Sequence, residues 1–178
     1  MRPEISPKGH RDGAGGLRPA LSDPAHGCPM HQIIIHERFP VFIAKVEKSD
    51  CGFPSLDDVV AYFVKLVEEH PVARLIGVFD HYAHTKGLAD GEIAPEIVGA
   101  VNVVVCFGMA IPQPEILALR PRSIGIADVG DRFVVSFLET PMPVANTTME
   151  MWTRGLMTRN FSHDSPKTGS MVSPPPSN

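Results

Sequence analysis

The chain is poor in several things that would have pointed to a function. It holds three cysteines (Cys28, Cys51 and Cys106), an odd number with no CxxC pair and no metal-ribbon spacing. That excludes a disulfide framework and leaves free thiols, as expected in a reducing compartment, with the cytoplasm as the default location. It lacks an excess of positive charge: the formal net charge is −4. An acidic balance argues against nucleic acid as a partner, because a phosphate backbone needs a basic stripe to neutralise it. The same balance argues against a polybasic membrane-surface patch. No apolar run approaches transmembrane length, and the first residues do not read as a signal peptide. GxGxxG, Walker, GxSxG and HExxH patterns are all missing, so nucleotide-dependent and common hydrolase chemistry has nothing to rest on.

What is present reads as one globular domain between two tails. Of the 178 residues, 43% are hydrophobic, an ordinary globular share. A chain of this length buries roughly 70% of its unfolded surface without help from disulfides or metal. Residues 1–30 are rich in Gly and Pro, with Leu17 and Leu21 nearly alone as large apolar groups, and are expected to be disordered. The composition changes sharply at Met30, which makes Met30 a candidate physiological start. Residues 161–178, ending in Pro174-Pro175-Pro176-Ser177-Asn178, form a second tail of the same kind. The domain is therefore expected over 31–160.

Inside it, residues 33–46 read as a strand interrupted near Pro40. Asp50 to Pro54 is a turn, and Ser55 with Asp58 three residues on begins a helix. Leu56, Val59, Val60, Phe63, Val64 and Val67 fall at helical spacing, and Pro71 ends the element. Residues 74–81 predict a second strand, and a short helical stretch is expected around Pro95–Gly99. The apolar run Val101–Phe107 predicts a central strand. One helical turn is expected at Glu115–Ala118. A hairpin about Gly130-Asp131 joins 123–129 to 132–139. Thr147 and Glu150 form a T-x-x-E box, and Met149, Trp152 and Leu156 mark a last helix. The expectation is an α+β fold of order β-α-β4-α: a mainly antiparallel five-stranded sheet with both helices on one face. The other face then needs cover, for which a second subunit is the usual answer.

Three strings, Phe79-Asp80-His81-Tyr82-Ala83-His84, Val103-Val104-Val105-Cys106-Phe107-Gly108 and Asp128–Phe137, resemble the bacterial "domain of unknown function 302" family over most of residues 33–140. The resemblance implies a β-α-β4-α arrangement similar to the TATA-binding-protein-like fold, and a homodimer. It implies no activity, because that family has no established one. The chain departs from the family at Gly108-Met109-Ala110-Ile111-Pro112, where Gly-Asn-Pro is usual.

Candidate chemistry centres on Asp80–His84. On a continuing strand His81 and His84 point to opposite faces. A helical kink would instead bring both onto one metal or haem iron, with Asp80 as a further or supporting ligand. The plainer reading has one histidine hydrogen-bonded at a strand end and the other in solvent. Either imidazole also suits acid–base work near neutral pH. Tyr82 would line the same site. Arg120 and Arg122 carry guanidinium forks suited to a carboxylate or phosphate. Their plainer role is pairing with Glu115, Glu139 or Glu150. Asn102, an amide within an apolar strand, either stitches neighbouring structure or faces a polar cavity. Cys106 reads as a small hydrophobe and Cys51 as an exposed, oxidisable thiol. His26-Gly27-Cys28-Pro29-Met30-His31 holds soft ligands at close spacing for opportunistic copper or zinc.

These features lead first to a homodimeric domain holding a small ligand, a transition metal or haem near Asp80–His84, with an arginine meeting an anionic group. A small enzyme with a histidine base and an arginine-bound substrate is the second reading, and a protein-interaction module without chemistry the third. The balance leans away from an enzyme.

Overall fold

The computed structural model describes residues 29–157. The expected tails lie outside this range except for Pro29 and Met30, and so do His26, Gly27 and Cys28 of the His26–His31 cluster. Met30 packs against the core.

Six strands form one antiparallel sheet: β1 (His31–Ile35), β2 (Phe39–Glu47), β3 (Arg74–Asp80), β4 (Gly99–Cys106), β5 (Arg122–Asp128) and β6 (Arg132–Leu138), in the spatial order β1-β2-β6-β5-β4-β3. The expectation of five strands is corrected here. Residues 33–46 are two strands, folded at His36 and Glu37, both of which have positive φ (48° and 58°). Arg38 N–H donates to the Ile35 carbonyl across the turn, at 3.2 Å. Two successive left-handed residues turn a hairpin tightly, but Gly or Asn usually marks them, and neither is present. The β5–β6 turn shows the opposite case. Gly130 has φ 92° and the Asp128 carboxylate accepts its N–H at 2.9 Å, as the sequence suggested.

Helix α1 (Leu56–Glu69) starts at Ser55, whose hydroxyl accepts the Asp58 N–H at 3.2 Å. Its buried stripe is Val59, Phe63 and Val67. It ends before Pro71, at His70. The ring Nδ1 of His70 accepts the N–H groups of Val72 and Ala73, and the ring stands edge-on to Phe107 and Trp152. A short helix, α2 (His81–Lys86), follows β3 directly, where a strand end was expected, whereas Pro95–Gly99 forms no helix. Helix α3 (Pro143–Arg154) begins before the T-x-x-E box, because Pro143 occupies its first turn with φ already fixed. Thr148 and Thr153 are buried inside it, their hydroxyls donating to carbonyls one turn back. The turn expected at Glu115–Ala118 is a 3-10 helix, Pro114–Leu119.

The pleat sorts side chains strictly between the two faces of the sheet. Ala44, Val46, Val103, Val105, Ile124, Ile126, Phe133, Val135 and Phe137 point to one side and form a single core with Val59, Phe63, Val67, Met149, Trp152 and Leu156 of the helical layer. α1 and α3 meet where the Tyr62 hydroxyl donates to the Trp152 carbonyl at 2.8 Å. The other face of the sheet is open among the described residues except at its β3 corner, where His81 and His84 of α2 pack on Phe79. No helix among them is long and apolar enough to cross a membrane.

Candidate functional site

The helix-facing row of β5 reads Arg122, Ile124, Ile126, Asp128, so a charged residue stands at each end of an apolar stripe. The two ends are treated differently. Asp128 is paired with Lys48 at 2.8 Å. Arg122 pairs with no acidic group among the described residues, and burial lowers the pKa of its guanidinium below the ordinary value. Arg120, two residues earlier, also lacks an acidic partner. One of its terminal nitrogens donates to the Ala110 carbonyl at 3.1 Å and the other lies 3.9 Å from the Met142 sulfur. Its Nε is buried and makes no hydrogen bond.

Both arginines line one cleft with Phe107, Ile116, Leu119, Thr140, Pro141, Met142 and Ala145. Three elements build it. The 3-10 helix supplies the apolar rim and, at its C-terminal end, Arg120; β5 begins with Arg122, and the start of α3 closes the far side. Thr140 is fixed there by Asn146, whose side-chain oxygen accepts the Thr140 N–H and whose amide donates to its carbonyl, each at 2.9 Å. No side chain caps the N-terminus of α3, so the positive end of its dipole adjoins the cleft. Gly108, at φ 111°, lies so close to the Arg120 guanidinium that a Cβ there would collide with it. The enclosed part of the cleft is about 10 Å³, room for roughly one water-sized group, so anything larger sits at its open mouth. Ligand pockets for drug-sized molecules span roughly 300–1,000 Å³, and a haem does not fit here.

The pairing of these arginines with Glu115, Glu139 or Glu150 does not occur. Glu139 accepts from Gln32 at 2.9 Å, and Glu150 is bonded to Arg154. The Glu150–Arg154 pair is an i,i+4 contact within α3, whereas the Glu139–Gln32 contact depends on tertiary distance that the local sequence does not show.

At Asp80–His84 the helical kink does form. His81 and His84 lie on α2 with ring centres 6.4 Å apart, packed on Phe79 at 4.9 and 5.2 Å. Asp80 is used otherwise: its carboxylate caps α2 by accepting the Ala83 N–H at 2.7 Å. Tyr82 lies under the Lys86 ammonium. Among the described residues no group of three metal-ligating side chains is found, and both histidines are exposed. Asn102 donates to the Ser123 hydroxyl at 2.6 Å, a stitch between β4 and β5 on the open face.

Histidines and arginines do not converge. Asp80 stands opposite Val101 and Arg122 opposite Val105, roughly 13 Å along β4, and Phe79 and Arg122 point to opposite faces of the sheet. No one cleft sees both, which corrects the expected pairing of a histidine base with an arginine clamp. Cys106 shares the open face and lies at the Arg122 end of β4, away from both histidines of α2. Cys51 is half-buried in a bridge to Met157, and burial raises its thiol pKa against a smaller opposite pull from the Phe53 backbone. The expected exposed, oxidisable thiol is thereby corrected. His70, which sequence reasoning missed, is structural; its only local signal was its place between α1 and Pro71.

The fold and cleft therefore define a small α+β domain with one arginine-bearing pocket under its helical layer and one open sheet face. Residues 30–158 match the model described as "Family of unknown function (DUF6858)", and the chain belongs to that family. The match gives no link to the "domain of unknown function 302" family. No curated protein and no solved structure matches the chain.

Proposed function

We propose that this domain binds a small ligand through an oxyanion, a carboxylate or phosphate group, held between Arg120, Arg122 and the start of α3. The observation behind it is that two guanidinium groups share an apolar cleft with no carboxylate beside them, one with a buried, unbonded Nε. An unmet buried donor costs about 1–3 kcal/mol. A bidentate anion removes that cost and gains charge-assisted bonds. The rest of the ligand extends outward past Ile116 and Leu119, whose apolar side chains rim the cleft.

Thermal unfolding with inorganic phosphate or succinate, against chloride at equal ionic strength, tests this reading. Either oxyanion at 100 times its Kd stabilises by about 2.7 kcal/mol, several degrees in Tm for a domain of this size. Chloride leaves Tm where it was. Arg122→Met removes the oxyanion shift; a variant that keeps the full shift, or a wild type that shows none, sinks the proposal.

A further inference from the structure

The open face is strongly apolar and unevenly filled. Along its β1, β2 and β6 half stand Ile33, Ile35, Phe39, Val41, Ile43 and Leu138; Phe39 is 50% exposed and Leu138 40%. Along β5 and β4 the same face carries Ser123, Gly125, Ala127, Ala100, Asn102 and Val104, mostly small, and beyond them β3 carries Phe79 with the α2 histidines against it. The row Ile43, Ser136, Gly125, Asn102 crosses the sheet from the bulky half to the shallow one. Its central polar groups are already bonded, Asn102 to Ser123. Charged residues lie toward one end, where Lys45 stands beside Val134 and Glu47 pairs with Arg132 at 3.2 Å.

We infer that this face is the interface of a homodimer in which two sheets stack face to face about a two-fold axis running along the strands. That axis reverses the strand order between copies, laying β2 over the partner's β4 and β6 over its β5. The bulky β2 and β6 then meet the shallow β4 and β5, with β1 beside the Phe79 corner of the partner, and the contact is isologous. Stacked sheets hold their strands within about 30° of each other at roughly 10 Å separation, a geometry this twisted sheet can adopt. Six strands at about 4.8 Å spacing and seven residues deep present on the order of 600 Å². Two copies bury about twice that, the lower limit of a stable specific interface, ~1,200 Å². The chain beyond the described residues offers a poorer cover. Residues 1–28 bring Met1, Ile5, Leu17 and Leu21, and 158–178 bring Phe161, Met171 and Val172, amid Gly, Pro and Ser. A second copy supplies a matching apolar sheet.

Sedimentation of the full chain at micromolar concentration should give about twice the 19.3 kDa of one chain. Ala127→Arg, in the shallow half, and Leu138→Lys, in the bulky half, should each give a monomer with unchanged circular dichroism. Leu138 is already well exposed, so its variant folds even if Ala127→Arg does not. A monomeric wild type overturns the inference and leaves the face to the chain's own terminal segments or to another protein. A dimer that survives both substitutions also overturns it, pointing to pairing along the exposed β1 edge.

Discussion

Gly108 and Arg122 show how single positions shape the cleft. At φ 111° Gly108 occupies backbone space that costs an L-residue about 1–2 kcal/mol, and its missing side chain leaves room for the Arg120 guanidinium. Gly108→Ala is therefore expected to destabilise by at least that amount in urea unfolding, and to weaken oxyanion binding as Arg120 is displaced. Arg122 makes the opposite prediction. A half-buried cation with no acidic partner among the described residues adds no stability to the empty protein, so Arg122→Met should unfold at the same or slightly higher urea concentration, by up to about 1 kcal/mol. An arginine kept for structure would instead show a clear loss. Both arginines were legible in the sequence as candidates. Their isolation was not, since Glu139 finds Gln32 through tertiary proximity, although Glu150 pairs locally with Arg154 one turn on in α3.

At the level of elements, local signals succeeded where a side chain bonds its own neighbourhood. Ser55 caps α1 as its spacing to Asp58 suggested, and Ser55→Ala should cost about 1 kcal/mol, measured by the midpoint of thermal or urea unfolding. Gly130 marks the β5–β6 turn for the same reason. The β1–β2 turn carries no such mark. Its positive-φ residues are His36 and Glu37, so Glu37→Gly should relieve strain and stabilise by about 0.5–1 kcal/mol, readable in the same measurement. Without a turn signal, one interrupted strand and a hairpin look alike in sequence, which is why the sixth strand was missed. α3 was found by its apolar stripe but entered late, because Thr147 and Glu150 imitate a cap inside a helix that Pro143 had already begun. α2 was hidden for another reason. Asp80-His81-Tyr82 continues a strand pattern, and only the Asp80 cap on Ala83 turns it into a helix.

The whole molecule divides its apolar surface between a closed core and an open face, and the dimer inferred above has a thermodynamic signature. If two copies cover that face, Tm rises with protein concentration, because association favours the folded state by mass action. Ala127→Arg should abolish that dependence while leaving the oxyanion shift intact, since the cleft lies on the other side of the sheet. By itself the sequence determined the α+β class, the buried stripe of α1, the apolar β4, the β5–β6 hairpin and the presence of two arginines near a strand start. Each depends on side-chain periodicity or on contacts within a few residues, which the order of amino acids encodes directly. Only the tertiary structure decided that β1 folds back on β2, that the histidines and arginines lie apart, and that Arg120 and Arg122 stand without a carboxylate. Those outcomes depend on which distant segments become neighbours. The packing of the sheet against its helices settles that, and no local pattern records it.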